Sequence, residues 1–150
     1  MDKRKESFQK KIHIFFGDDD PEDVEFFQEA LRELFPSVKI TIAKDGLELL
    51  EFLQVVIPDM IFLDLNMPRM SGMECLRTIR ENAGYKHIPV IIYSTSAEDR
   101  HIEEAYALGA TRFVQKPLRY EDIKDRITLT IGPEISELLK RNSREDFVIN

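Results

Sequence analysis

The sequence is poor in the residues that build disulfides, zinc sites and membrane spans. One cysteine, Cys75, cannot form a disulfide within the chain. The three histidines lack zinc-ligand spacing; they are His13, His87 and His101. No apolar run approaches the roughly 18 residues of a membrane helix, and residues 14–16, which follow a basic N-terminus, are too short a run for a secretory signal. We therefore expect a cytoplasmic protein with no membrane contact.

Basic residues are also in deficit. Lys and Arg number 21 against 28 Asp and Glu, which gives a formal net charge of -7. A domain that binds nucleic acid by neutralising phosphates needs a basic excess, so direct nucleic-acid binding is disfavoured. The chain of 150 residues with 43% hydrophobic residues suits one folded domain of about 100 to 200 residues.

The apolar residues fall into short runs that alternate with helical patterns. Five runs predict strands, at residues 12–16, 38–42, 60–63, 90–93 and 113–114. Alternation of apolar and polar residues in the second run predicts an edge strand. Five amphipathic stretches between and after these runs predict helices. The pattern is typical of a doubly wound, mostly parallel α/β sheet.

Two polar residues are predicted to start helices. Asp20, followed by Pro21, has the features of a helix cap with proline at the first helical position. Ser96 and Asp99 have capping-box spacing, which predicts that Ser96 caps the fourth helix.

The candidate chemistry lies directly after the predicted strands. In open α/β sheets, ligands bind beyond the carboxyl ends of the strands. The polar residues in these places are Asp18 and Asp19 after the first strand, Asp64 after the third, Ser94 after the fourth and Lys116 after the fifth.

Three carboxylates at one edge would repel each other unless a cation lay among them. Mg2+ prefers a few carboxylate oxygens together with water and leaves room for a phosphate. The hydroxyl of Ser94 and the ammonium of Lys116 would then face a negatively charged group. A phosphoryl group bound to, or transferred onto, a carboxylate fits all five residues.

Taken singly, most of these residues have simpler explanations. Asp18 and Asp19 fit solvated loop acids. Ser94 fits a loop hydroxyl, and Lys116 a surface lysine. Asp64 is different, because an acid that ends a wholly apolar strand is close to buried and needs a partner. The joint placement is what favours a phosphoryl site.

Four motifs in order resemble the receiver domain of two-component response regulators, which include the bacterial chemotaxis response regulator. They are the acid pair Asp18–Asp19, the stretch 61–68 with Gly72, the hydroxyl of Ser94, and Lys116–Pro117. The resemblance implies a five-stranded parallel flavodoxin-like (βα)5 sheet with strand order 2-1-3-4-5.

The resemblance also implies roles for the acids. Asp64 would be the phosphoacceptor, which takes a phosphoryl group from a phosphohistidine on a sensor histidine kinase or a histidine phosphotransfer protein. Asp19 and Asp64 would ligate Mg2+ directly, together with the backbone carbonyl of Asn66. Asp18 would act on the metal largely through water.

Further residues match positions that bind the phosphoryl group or respond to it in this family. Lys116 would contact its oxygens, and Ser94 would move to hydrogen-bond it. Phe113 matches the aromatic switch position, which turns inward when that hydroxyl moves, and the peptide between Lys116 and Pro117 is expected to be cis. Two positions are expected to tune hydrolysis of the phosphoryl group, Asn66 and Thr95. Thr95, bulkier than the frequent alanine, would hinder the attacking water.

The expected organisation is a charged N-terminal arm at residues 1–10, a receiver domain at 11–131 and a short C-terminal extension at 132–150, with no output domain. We expect a stand-alone receiver that switches a protein-interaction face or relays phosphate. It would be no enzyme beyond self-catalysed phosphorylation and slow autodephosphorylation. Residues 66–70 and 94–96 look like those of single-domain receivers, some of which serve phytochrome-type kinases.

Three alternatives remain at this point. A metal-dependent phosphohydrolase with an aspartyl-phosphate intermediate would place its nucleophile after the first strand, usually with a second aspartate two residues later. Here the acceptor, Asp64, follows the third strand, and the residue two positions later is Asn66. A flavodoxin-like cofactor binder is disfavoured because the acids would repel a flavin phosphate. A degenerate receiver that only docks partners is disfavoured by the intact acid set.

Overall fold

The computed structural model describes residues 12–131 and 144–150. The described residues form one parallel sheet in the order β2-β1-β3-β4-β5-β6. The strands are β1 (His13–Gly17), β2 (Lys39–Ala43), β3 (Met60–Leu63), β4 (Val90–Ser94), β5 (Arg112–Gln115) and β6 (Val148–Ile149). The helices are α1 (Pro21–Leu34), α2 (Gly46–Leu53), α3 (Gly72–Glu81), α4 (Asp99–Ala107) and α5 (Ile123–Ile131).

The sheet is covered on both faces, which explains why its central strands are apolar throughout. Every residue of β3 and β4 is buried, as expected for parallel strands between two helical layers. Helices α2, α3 and α4 pack on one face around Phe15 and Phe113. Helices α1 and α5 pack on the other face around Phe16 and Phe62. The predicted edge position of the second strand is confirmed, since among the described strands β2 pairs only with β1.

Within residues 12–131 and 144–150 the sheet has six strands in place of the five that the sequence predicts. The additional strand, β6, comes from the C-terminal extension and pairs in parallel with β5. Its apolar run, Phe147 to Ile149, has too few residues to show the alternating pattern by which a strand is recognised in a sequence. The α/β prediction and the order of the first five strands are otherwise correct.

One of the two predicted helix caps is confirmed and the other is wrong. The Asp20 carboxylate accepts hydrogen bonds from the backbone N–H groups of Glu22 and Asp23 at the start of α1. Helix α4 begins three residues after Ser96, and its N-cap position is held by Glu98 without a side-chain bond. The Ser96 hydroxyl instead lies 3.0 Å from Nδ1 of His101 on α4, and it pairs with this side chain in place of a backbone N–H group of the helix.

In the described ranges, every helix is too short or too polar to cross a lipid bilayer.

Candidate phosphoryl and metal site

Three carboxylates meet at the carboxyl edge of the sheet. Gly17 and Leu63 are paired at the ends of β1 and β3, so the acids that follow them emerge side by side. The backbone N–H of Asp64 donates to the carbonyl of Gly17 at 2.8 Å, which fixes this register beyond the strands. One oxygen from each of Asp18, Asp19 and Asp64 lies within 4.8 Å of the others. Asp18 and Asp64 are buried, whereas Asp19 is exposed.

Lys116 enters the same cluster from the end of β5. Its backbone N–H donates to the carbonyl of Ser94 at 2.8 Å, which aligns it with the end of β4. Its ammonium Nζ donates to Oδ2 of Asp18 at 2.8 Å and to Oδ2 of Asp64 at 3.1 Å. A third bond of 2.8 Å goes to Oδ2 of Asp23, in the first turn of α1. The buried ammonium is thus a shared donor for three carboxylates.

Burial and pairing have opposite effects on the pKa of the two most buried charged groups of this cluster, Asp18 and Lys116. Burial raises the pKa of the Asp18 carboxyl to about 6, although hydrogen bonds from Lys116 and the Asp20 backbone oppose the rise. For Lys116, burial alone would lower the pKa, but the hydrogen bonds to Asp18 and Asp23 outweigh it and raise the pKa above its usual range. Lys116 therefore stays charged throughout the physiological range.

Asp23 is the member of the cluster that the sequence analysis did not assign. It stands two residues after Pro21, in the first turn of α1, where the positive end of the helix dipole is by itself a sufficient reason for an acid. The short connection between β1 and α1 could have indicated that Asp23 lies at the site. Because the helix begins only four residues after β1 ends, its first turn lies at the same edge as Asp18 and Asp64.

The remaining candidate residues lie around this cluster without joining it. Ser94 is buried, and its hydroxyl accepts a hydrogen bond from the backbone N–H of Ser96 at 3.3 Å. Thr95 and Asn66 are exposed next to the edge, and the Asn66 N–H points to Oδ1 of Asp64 at 3.5 Å. Phe113 lies away from the carboxylates, fully buried in the α2–α3–α4 layer.

The expected cis peptide before Pro117 is wrong, because none of the peptide bonds in the described residues is cis. The trans form is the ordinary preference of X–Pro bonds, by about 0.5 to 1 kcal/mol. Lys116 reaches Asp18 and Asp64 with a trans peptide, so the placement of its ammonium does not require the cis form.

The loop after β3 is held by close backbone packing. Gly72, the first residue of α3, lies against the chain at Asp64: a Cβ on this residue would stand 2.0 Å from the Asp64 carbonyl oxygen. Arg69 adopts a left-handed conformation with φ of 62°, uncommon for a residue with a side chain. Its guanidinium Nε donates to Oδ2 of Asp45 at 2.8 Å, which ties the loop to the N-cap of α2.

The donor set fits a hard divalent cation. Three carboxylates, those of Asp18, Asp23 and Asp64, bond to one ammonium, and the Asp19 carboxylate lies beside two of them, so the negative charges are not balanced within the cluster. Carboxylate and carbonyl oxygens with an open side suit Mg2+ or Mn2+. Histidine and cysteine, the softer ligands, are absent from the group of side chains that meets here.

Comparison with known proteins agrees with this geometry. The family model of the response regulator receiver domain matches residues 14–128. The chain belongs to the response regulator receiver family. The matched range runs from β1 into α5 and includes every acid of the cluster as well as Lys116.

Relatives and solved structures of the receiver are similar over most of their length. The two-component response regulator ARR17 of Arabidopsis thaliana is 31% identical over 130 residues, covering 79% of this chain and 84% of the relative. Response regulator Rcp1 of Synechocystis sp. is 30% identical over 117 residues, covering 73% and 80%. The solved structure of its Mn(2+)-bound form superposes with a TM-score of 0.72, 26% identity, and coverage of 78% and 92%.

A third similar protein is the phosphorylated cyanobacterial phytochrome response regulator RcpA. Its structure superposes with a TM-score of 0.74 at 28% identity, covering 79% of this chain and 93% of RcpA. The predicted family and the flavodoxin-like receiver fold are therefore confirmed. Receivers are signalling modules that bind a divalent metal and are phosphorylated by histidine kinases or phosphotransfer proteins. As a member of this family, the chain has this signalling function. The phosphohydrolase alternative is not favoured.

Proposed function

We propose that the receiver accepts its phosphoryl group on Asp64, from a phosphohistidine of a sensor histidine kinase or a histidine phosphotransfer protein. The observation that carries the proposal is the position of the Asp64 carboxylate. It stands beyond a fully buried strand, with Oδ2 3.1 Å from the Lys116 ammonium and with Asp18 and Asp19 beside it. Phosphoryl transfer depends mainly on alignment and on neutralising phosphoryl oxygens. Lys116 would supply one positive charge for this, and a cation held by Asp18 and Asp19 would supply more.

The transfer is balanced without a further reactant. One oxygen of the Asp64 carboxylate forms a bond to phosphorus as the bond between phosphorus and the donor imidazole nitrogen breaks. The electron pair of that bond stays on the imidazole, and an acyl phosphate remains on Asp64. Lys116 would pair with a phosphoryl oxygen, and its hydrogen bond to Asp64 supports this role.

Asp18, Asp19 and Asp64 would hold Mg2+, together with the backbone carbonyl of Asn66, and Asp18 would act largely through water. The clustering of one oxygen from each carboxylate supports this assignment. A bound Mg2+ supplies positive charge that neutralises the phosphoryl oxygens during transfer.

Ser94, Phe113 and two exposed neighbours would read and tune the phosphorylated state. Ser94 is buried at the end of β4 beside Lys116, within the part of the sheet where the phosphoryl group would stand. Phe113 would follow the movement of this hydroxyl, so that phosphorylation shifts the population of a face built from α4 and β5. Thr95 and Asn66 would set the lifetime of the acyl phosphate by controlling access of water to it.

The receiver would act in the cytoplasm, by protein contact or as a relay of phosphate, with only self-catalysed phosphorylation and slow autodephosphorylation. The kinase class to be tested first is the phytochrome type, because RcpA, a phytochrome response regulator, is among the similar structures. Phosphotransfer from a panel of purified histidine kinases would identify the donor.

The direct experiment is labelling by a small phosphoramidate donor in the presence of Mg2+. The wild type should be labelled, and Asp64→Asn should not. Asp59→Asn is the matched control, because Asp59 lies at the opposite end of β3 from Asp64 and should leave labelling unchanged. Labelling that survives in Asp64→Asn contradicts the assignment, and rapid release of phosphate from many unrelated esters would favour the hydrolase instead.

A further inference from the structure

The loop between β3 and α3, residues 65–71, carries the backbone that the proposed metal site would use. Asn66, whose carbonyl oxygen is the proposed ligand, is exposed. Its N–H lies 3.5 Å from Oδ1 of Asp64, which makes a long and weak hydrogen bond. The direction of the Asn66 carbonyl therefore depends on how the rest of the loop is held.

The inner side of the loop is held by packing. Leu65 is buried, and Met67 and Met70 pack against the α2–α3–α4 side of the core. The N–H of Gly72 closes the loop by donating to the carbonyl of Leu65 at 2.9 Å. The N–H of Gly46, the first residue of α2, donates to the carbonyl of Met70 at 3.3 Å, and a Cβ on Gly46 would stand 2.8 Å from the Met70 side chain. The loop and the start of α2 are thus in close contact.

The outer side of the loop is held by an ion pair with the end of β2. Nε of Arg69 donates to Oδ2 of Asp45 at 2.8 Å. Asp45 is buried, and its other oxygen caps α2 by accepting a hydrogen bond from the N–H of Glu48 at 2.9 Å. Two residues earlier, the carbonyl of Ala43 accepts a bond of 3.0 Å from the N–H of Asp18. The pair therefore connects the loop to a segment that is itself bonded to the acid cluster.

Arg69 holds this position in a disfavoured backbone conformation. In residues 12–131 and 144–150 it is the one residue other than glycine with a positive φ, 62°. The left-handed region is unfavourable for a residue with a Cβ and is freely adopted by glycine. Such strain persists where the surrounding contacts over-determine it, and it clusters at functional sites. A glycine would make this turn more easily, but it could not make the bond to Asp45.

We propose that Arg69 and Asp45 are positioning residues for the metal site. Their ion pair holds the 65–71 loop in the conformation in which the Asn66 carbonyl can ligate the cation. Both residues act through the backbone and not as ligands. The inference rests on the proposed function, because it assigns these two residues to the metal site proposed above.

A direct effect of charge is the competing explanation, and it predicts a different result. Removal of the positive charge of Arg69 would strengthen the binding of a cation, and removal of the negative charge of Asp45 would weaken it. Loss of positioning weakens binding in both cases. Two single variants therefore separate the explanations.

The test is the Kd of Mn2+ for the full-length chain, measured from the electron paramagnetic resonance signal of the free ion. Mn2+ takes the same oxygen ligands as Mg2+. Arg69→Gly keeps the left-handed turn and removes the side chain. Asp45→Asn keeps an oxygen that can cap α2 but turns an NH2 group, which cannot accept a hydrogen bond, toward Arg69. Each variant should raise the Kd about tenfold, as is typical when a partner that orients a metal ligand is lost.

Two further measurements are matched to this one. The double variant should bind Mn2+ no more weakly than either single variant, because both substitutions remove the same bond. Arg100→Ala is the control: it removes another pair of 2.8 Å between Nε and a carboxylate, that with Glu98, and should leave the Kd unchanged. At saturating Mg2+, Arg69→Gly should be labelled on Asp64 at the wild-type rate, because only the affinity for the metal is reduced.

An unchanged Kd in Asp45→Asn overturns the proposal, even if Arg69→Gly does not fold. Tighter binding by Arg69→Gly overturns it in favour of the charge effect. Labelling that stays slow at saturating Mg2+ overturns it as well, because it would show distortion of the acceptor and not of metal binding alone. Asp19→Asn identifies a failure of the proposed function: a wild-type Kd in this variant shows that the metal site itself is wrongly assigned, and the inference fails with it. Weaker binding by Asp19→Asn, with wild-type binding by the other variants, contradicts only the role of Arg69 and Asp45.

Discussion

The Lys116 ammonium lies 2.8 Å from Oδ2 of Asp23, which joins the end of β5 to the first turn of α1 across 93 positions of sequence. This bond makes α1 part of the candidate phosphoryl site. Lys116 therefore has to leave or share an acceptor on α1 when it pairs with a phosphoryl oxygen. The geometry predicts that the position of α1 and the state of Asp64 are coupled through this one side chain.

Asp23→Ala should weaken the attachment of α1 without abolishing labelling. Asp23 is partly exposed, so its charged hydrogen bond is expected to contribute about 1 kcal/mol to the free energy of unfolding. Lys116 keeps Asp18 and Asp64 as acceptors, so phosphoryl labelling should persist. Urea unfolding measures the loss against Glu22→Ala, which removes an acid from the same helix turn. If Asp23→Ala loses no more free energy of unfolding than Glu22→Ala, the bond between Lys116 and Asp23 does not contribute as proposed.

Gly72→Ala should be strongly destabilising, although alanine is the better helix former. The new Cβ would stand 2.0 Å from the Asp64 carbonyl oxygen, so the backbone that carries the proposed acceptor would have to move. We expect a loss of about 2 kcal/mol or more in the free energy of unfolding, with slower labelling of Asp64. The control is Gly84→Ala, whose Cβ meets only the Asn82 side chain at 3.2 Å. Equal stability of the two variants would contradict the steric account.

The convergence of the acids at one edge of the sheet could be predicted because the ends of the strands can be recognised in the sequence. Apolar runs stop abruptly at Asp18 and Asp64, and parallel topology brings such ends to one edge. Asp23 could not be assigned in the same way, because an acid in the first turn of a helix already has a sufficient explanation in the helix dipole. Long-range partners of this kind depend on where the helix is placed.

Three errors also have physical causes. The strand β6 is missed because three apolar residues carry no periodicity, and because its partner β5 is more than thirty residues earlier in the chain. Ser96 matches the spacing of a capping box, but the spacing cannot show that the hydroxyl will meet His101 instead. The trans peptide before Pro117 departs from what the family resemblance implies, since local sequence does not fix the isomer.

Mg2+ should stabilise the receiver through the acid cluster. Binding to the folded state alone at a hundredfold excess over Kd adds about 2.7 kcal/mol, which corresponds to a rise of roughly 5 to 10 °C in Tm. Asp19→Asn should lose most of this shift, and chelation should reverse it in wild type. Asp20→Ser is the matched control: it changes the residue next to Asp19, keeps an oxygen that can cap α1, and should retain the shift in Tm. Equal shifts in the two variants would contradict the assignment of Asp19 as a ligand.

The Asp45–Arg69 pair should make stability depend on pH. The hydrogen bond from Arg69 lowers the pKa of the Asp45 carboxyl below its ordinary value of 3.8. A depressed pKa stabilises the fold above the ordinary value, and this contribution is lost as pH falls through the lowered one. Asp45→Asn keeps a capping side chain but removes the charge, so it should be less stable than wild type at pH 7, and the difference should shrink as the pH falls below 3.8. A difference independent of pH in urea unfolding would contradict this coupling.

The measurement that tests the central claim most directly is chemical mapping of the phosphorylated residue. After labelling with a phosphoramidate and Mg2+, borohydride reduces an aspartyl phosphate to homoserine, which peptide mass spectrometry can locate. The account predicts homoserine at position 64 and unmodified aspartate at positions 18, 19 and 23. Homoserine at any of those three positions, or its absence from a protein that carries the label, would contradict it.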